Sequence, residues 1–192
     1  MKTHLRSINY DFLNSFFSSI SLGVSAVDLL LLHELSNTFL RANSNGGKLI
    51  FVGNGGSAAM ASHVSVDFTK IARIRAINFN EANLLTCFSN DYGYQNWVSH
   101  ALDSYSDEND VIVLISSSGE SANIINGAHQ ARKMGLTVVT LSGFEPNNPL
   151  RALGDFNLWC DSTRYNVVEM THQIWLLAIV DYISHSRSDL NA

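Results

Sequence analysis

The chain has 192 residues, 46% hydrophobic and 15% charged, which fits one domain with a sizeable core and excludes a disordered or collagen-like chain. A formal net charge of −5 argues against nucleic-acid binding driven by phosphate neutralisation, though it leaves room for a local anion site. The two cysteines, Cys87 and Cys160, lie far apart and form no CxxC pair, which argues against a disulfide-built fold or a zinc knuckle and points to a reducing compartment.

In chain order, residues 1–45 read as helical, with Phe12, Phe16, Ile20, Val27, Leu30, Leu31, Leu35 and Phe39 recurring mostly at three- and four-residue spacings. The basic start lacks the continuous apolar core and small-residue cleavage site of a secretory leader. The longest apolar stretches, 29–32 and 175–180, fall far short of the roughly 20 residues of a membrane span. A soluble, cytoplasmic protein without membrane or nucleic-acid partners is expected. Asn43–Gly47 punctuates the helical segment. Strands are expected at 49–52, 74–79, 111–115, 136–141 and 155–160, and helices at 58–70, 122–134 and 167–185. Asn90-Asp91-Tyr92-Gly93 reads as a polar turn between helical segments. Short, continuously apolar strands alternating with helices mark a parallel sheet covered on both faces. The fold class is therefore α/β, a doubly wound sandwich in a single domain over 1–192, with 1–45 packed on the same core or on an oligomer interface.

Ligands of open parallel sheets sit beyond the carboxyl ends of the strands, and two loops there carry unusual composition. Gly53-Asn54-Gly55-Gly56-Ser57 joins a strand to a helix. Its glycines allow close backbone approach, and the helix N-terminus offers N–H groups and a positive dipole end to an anion. The second loop, also strand to helix, supplies the hydroxyls of Ser116, Ser117, Ser118 and Ser121 without bulk. Either loop alone is compatible with a tight turn or an N-cap; together they point to a phosphate cradle that needs no Lys or Arg. Gly53-x-Gly-x-x-Ala58 loosely fits a dinucleotide fingerprint, yet Asn78, Phe79 and Asn80 occupy the region where its acidic residue belongs. His63 and Asp67 share a helix face and suit a divalent metal, an acid–base pair or an ordinary surface contact. In the last helix, Glu169 and His172 form a polar stripe on an otherwise apolar element.

With these residues in view, the chain resembles the sugar isomerase (SIS) domain family and, more narrowly, the sedoheptulose-7-phosphate (phosphoheptose) isomerases. The matching segments are GNGGSAAMASHVSVDF at 53–68, NDYGY at 90–94, ISSSGESANII at 115–125 and GLTVVTLSG at 135–143. The resemblance implies a five-stranded parallel sheet, a homotetramer with sites between subunits, and conversion of a ketose to an aldose phosphate for bacterial surface polysaccharide. It also implies that Asn54, Gly55, Gly56, Asn90 and Asp91 contact the sugar, and that Ser116, Ser117, Ser118 and Ser121 hold the phosphate beside Ser57. His63 becomes a zinc ligand, and Asp67 stands where the family has a Glu that is both ligand and acid–base catalyst. Asp67 is one methylene shorter than that Glu. Where the family shows Gln and, eight residues later, His on the final helix, this chain has Val168 and Leu176, which neither ligate metal nor move protons. The segment between Asp67 and Asn90 is about five residues shorter than the family's. His172, four residues from both altered positions, is a candidate replacement catalyst. Three readings stay open: an isomerase, a non-catalytic phosphosugar-binding or protein-binding regulator, and a related reaction at a rebuilt site.

Overall fold

The apolar runs form five strands, β1 (Leu49–Gly53), β2 (Ala76–Asn78), β3 (Val111–Ile115), β4 (Thr137–Ser142) and β5 (Phe156–Trp159), paired in parallel in the order β2-β1-β3-β4-β5. Seven helices surround them: α1 (Tyr10–Ser25), α2 (Leu29–Ser44), α3 (Gly56–Lys70), α4 (Ala82–Tyr92), α5 (Trp97–Tyr105), α6 (Ala122–Lys133) and α7 (Tyr165–Asp189). This architecture is that of a computed structural model, which describes residues 9–189; residues 1–8 and 190–192, part of the expected N-terminal helical segment and of the 1–192 domain, lie outside them.

Strand side chains alternate between faces, and the two faces build two cores. Leu49, Phe51, Val111, Val113, Ile115, Val139 and Leu141 pack toward α2, α3 and α7, where Phe39, Phe68 and Trp175 are fully buried or nearly so. Ile50, Val52, Ile112, Leu114 and Val138 pack toward α5 and α6, around Trp97, Leu102 and Ile124. Burial on both faces explains why β1 and β3 are apolar at every position. β1 and β3 run in register from Leu49↔Val111 to Gly53↔Ile115, so their carboxyl ends lie level and bring the two polar loops side by side.

The expected N-terminal helical segment contains α1 and α2 among its described residues, and the two meet at a bend of 64°; Asp28 caps α2 by accepting from Leu30 N at 2.8 Å. Two boundaries differ from the sequence expectation. The second strand contains only Ala76–Asn78, because it sits at the edge of the sheet and pairs with β1 alone. Asn90 and Asp91 lie in the last turn of α4, which Gly93 terminates with φ 82°. Among the described residues, no single helix is long and apolar enough to cross a membrane.

Candidate active site

The strand order reverses between β1 and β3, since β2 lies on one side of β1 and β3, β4 and β5 follow on the other. Such a switch point opens a crevice at the carboxyl ends of the strands. The loops after β1 and β3 enclose a pocket there of about 120 Å³, lined by Asn54, Ser57, Ser116, Ser117, Ser118, Ser121, Tyr165 and Glu169. A volume of this order has room for a group the size of a phosphate and not for a whole sugar. No Lys or Arg is among its lining residues.

Two helices start at this pocket and neither carries a side-chain cap. Gly55 precedes α3 with φ 54°, and Ser121 precedes α6 without capping it; α1, α2 and α4 are capped by Asn9, Asp28 and Glu81. Ser121 instead accepts from the Ser116 hydroxyl at 3.0 Å. Uncapped N-terminal N–H groups beside hydroxyl donors form a site for an anion. Glu169 reaches the pocket from the second turn of α7, and the Ser117 hydroxyl faces its Oε1 at 3.5 Å. A Cβ on Gly56 would run into the same carboxylate, so glycine lets α3 and α7 close on one another.

Several supporting residues escaped the sequence reading. Asn54 and the buried Asn123 exchange two amide hydrogen bonds, each of 2.9 Å, and the Tyr94 hydroxyl also donates to Asn54 Oδ1 at 2.9 Å. These bonds tie the first loop to α6 and to the segment after α4. Asn80 brackets Gly53, accepting from its N–H at 3.2 Å and donating to its carbonyl at 2.8 Å. The dinucleotide acid is thus replaced by an amide clamp. Asn123 lies within the serine-loop segment and Tyr94 within NDYGY, so position offered a signal; the pairing between them did not.

His63 and Asp67 lie farther along α3. His63 Nε2 and Asp67 Oδ2 are 3.1 Å apart, with side chains 56% and 21% exposed. At about 1.5 Å rise per residue, they stand roughly 9 Å and 15 Å from Ser57 along the helix axis, and helical side chains lean back toward the N-terminus. Gln173 of α7 approaches from the other side, its Nε2 3.0 Å from His63 Nδ1. A carboxylate only accepts, so the ring N–H that faces Asp67 is Nε2, and Nδ1 is left to accept from the Gln173 amide N–H.

The structure brings the serines, Asn54 and Glu169 together; His172, Asn90 and Asp91, like His63 and Asp67, lie outside the pocket lining. His172 is fully buried and does not line the pocket. Its Nε2 donates to the Ser142 carbonyl at 3.0 Å, and its Nδ1 has no partner among the described residues. Burial holds its pKa down at about 4, against the usual 6.5. Its side chain follows the apolar stripe of α7 into the core, away from the pocket that the sequence reading placed it in. Gly143, next to Ser142, donates to the Ser117 carbonyl at 2.8 Å, which makes His172 a prop beneath the serine loop. Asn90 and Asp91 bond to each other at 2.9 Å and lie outside the pocket lining, because α4 continues through them.

The zinc implied by the resemblance meets an incomplete donor set. His63 uses both ring nitrogens, Val168 packs against Gly143, and Leu176 is fully buried in the core. Among the described residues no group of three His, Cys, Asp or Glu side chains could hold a metal ion. The residues present do not make a zinc site.

Residues 23–143 match the SIS domain. The chain is 31% identical over 153 residues to a phosphoheptose isomerase of Fusobacterium nucleatum, covering 77% of this chain and 76% of that protein. It is 30% identical over 145 residues to one of Helicobacter pylori, covering 72% and 75%. The solved structure of a phosphoheptose isomerase from Neisseria gonorrhoeae superposes with a TM-score of 0.84 at 26% identity, over 91% of this chain and 97% of that one.

Proposed function

Because the chain belongs to the SIS domain family and, within it, to the phosphoheptose isomerases, we propose that it interconverts sedoheptulose 7-phosphate and an aldose heptose 7-phosphate. The observation that carries this reading is a phosphate-sized, cation-free pocket at the switch point, with an acid–base pair farther along the same helix. With the phosphate held by the serine loop and the N-termini of α3 and α6, the carbon chain extends along the α3–α7 groove past Glu169. The offset from Ser57 to His63 and Asp67, roughly 9 to 15 Å by helix rise, suits the reach from phosphate to carbonyl in a heptose and exceeds that in a triose.

Asp67 is the base in this reading. Its carboxylate removes a proton from C1 as the C1–C2 double bond forms and the C2 carbonyl electrons move to O2; O2 gains a proton, O1 gives one up as the C1 carbonyl forms, and the carboxylic acid delivers a proton to C2. Glu169, one helical turn before Gln173, accepts hydrogen bonds from hydroxyls in the middle of the sugar chain. Asn54, fixed by Asn123 and Tyr94, presents its amide at the mouth of the cradle.

The same proposal includes a cytoplasmic homotetramer supplying a heptose phosphate for surface polysaccharide. Exposed Phe12, Leu13, Phe17 and Leu22 on α1 and Leu29 and Leu30 on α2 support packing against further copies.

A phosphorus NMR time course with sedoheptulose 7-phosphate tests the reaction. A second phosphate resonance should grow with time in the wild type, while Asp67→Asn should bind the sugar phosphate without producing it. Saturable binding by the wild type with no product would turn the assignment to a non-catalytic phosphosugar sensor.

A further inference from the structure

The hydrogen bonds of His63 specify more than its position. A histidine ligates metal through an unprotonated ring nitrogen, and in His63 that nitrogen is Nδ1, which the Gln173 amide covers at 3.0 Å. Its other nitrogen carries the proton toward Asp67 at 3.1 Å. A catalytic zinc takes three protein ligands. Here Gln173 of α7 is engaged with the His63 ring, while Val168 and Leu176 are buried apolar side chains. The same two contacts that work against a metal build something else. A polar side chain on one ring nitrogen that fixes the tautomer, with a carboxylate at the other, is the arrangement by which proteins poise an imidazole for proton transfer.

We propose that Gln173, His63 and Asp67 form a metal-independent acid–base group, with Gln173 as the positioning residue that keeps the His63 proton on Nε2. The proposal rests on the isomerase reading and deepens it. On binding, the sugar's C2 carbonyl oxygen takes over the hydrogen bond that Asp67 accepts in the free protein. Asp67 takes the proton from C1 and the C1–C2 double bond forms as the carbonyl electrons move to O2. His63 gives its Nε2 proton to O2 and takes the O1 proton onto the same nitrogen, so the ring ends neutral. The carboxyl hydrogen of Asp67, 21% exposed, exchanges with solvent, and as the C1 carbonyl forms Asp67 delivers a proton to C2. No electrons are gained or lost overall, and no cation is required.

Three measurements on the full chain test it. Calorimetric titration with zinc chloride should show no stoichiometric site. Exchange of the C1 hydrogens of sedoheptulose 7-phosphate with deuterated solvent should persist in excess chelator. Nitrogen-15 NMR of the His63 ring should report a protonated Nε2 and an unprotonated Nδ1. Gln173→Glu, nearly isosteric, places an acceptor against Nδ1; it should move the proton to that nitrogen and lower kcat about tenfold or more, with KM little changed. Stoichiometric zinc at micromolar or tighter affinity that His63→Gln abolishes, or exchange that appears only with zinc, overturns the proposal and leaves the isomerase reading intact. A Gln173→Glu ring spectrum and rate equal to wild type also overturn it. Absence of both exchange and aldose product, with and without zinc, overturns the isomerase reading itself, and the acid–base role falls with it.

Discussion

Gly56 meets the Glu169 carboxylate so closely that a methyl group fits between them only if the carboxylate, the far end of a flexible and part-exposed side chain, moves aside. Gly56→Ala should push the carboxylate out of the groove and weaken sedoheptulose 7-phosphate binding by about tenfold, equivalent to about 1.4 kcal/mol, with an unchanged circular dichroism spectrum; titration calorimetry reads the loss. His172 makes a prediction of a different kind. Its folded pKa, about 4 because of burial, lies below the ordinary 6.5, so the unfolded chain takes up the proton first. Its stabilising contribution is complete above about pH 6.5 and is lost as the pH falls toward about 4, a span worth about 3 kcal/mol. Urea unfolding between these limits should show a shallower acid decline for His172→Leu than for wild type. At this scale the sequence was a partial guide. Residues that act through backbone loops were legible as a group, because Gly53–Ser57 and Ser116–Ser121 are each contiguous. His172 and Glu169 were harder to separate: three residues apart on one helix, they differ by a rotation that only the packing of α7 decides. The structure turns Glu169 to the pocket and His172 to the core.

Among the elements, α3 and α6 do the most for the site, since both begin at the pocket with uncapped N-termini. Their relative placement depends on the amide exchange between Asn54 and Asn123, one partly buried and the other fully so. Asn123→Leu leaves the Asn54 amide with the Tyr94 hydroxyl alone. Losing a typical intramolecular hydrogen bond costs about 0.5–1.5 kcal/mol, and the urea midpoint should fall accordingly, together with affinity for the sugar phosphate. The strands of the sheet centre were legible because burial on both faces leaves an unbroken apolar run, as in Val111–Ile115. β2 was overestimated because an edge strand pairs on one side only, and apolar residues beyond its ladder, Ile74 and Phe79, are buried for reasons other than pairing. The end of α4 was misplaced because Asn, Asp and Gly mark turns in sequence, whereas here the glycine alone stops the helix.

At the scale of the whole molecule, α1 stands apart. It is a 16-residue helix with no buried residue, and it exposes Phe12, Phe17 and Leu22. Within one chain this surface has little to cover it, which is why a homotetramer belongs to the proposed function. Size-exclusion chromatography with light scattering should give the mass of four chains for wild type and a smaller species for Phe17→Asp; a wild-type monomer would remove the tetramer from the reading. The α/β architecture and the two polar loops at its strand ends could be read from sequence because both depend on local patterns repeated along the chain. The chemistry beyond the cradle could not, because Gln173 and His63 lie 110 positions apart and meet only through the packing of α7 on α3. The most direct measurement is deuterium incorporation at C2 of heptose 7-phosphate when purified protein is incubated with sedoheptulose 7-phosphate in deuterated water. The wild type should place deuterium there as product accumulates, and Asp67→Asn should slow it by about 10²–10⁴-fold. Wild-type protein that releases no labelled aldose, or an Asp67→Asn variant that matches it, would contradict an isomerase whose proton is moved by Asp67.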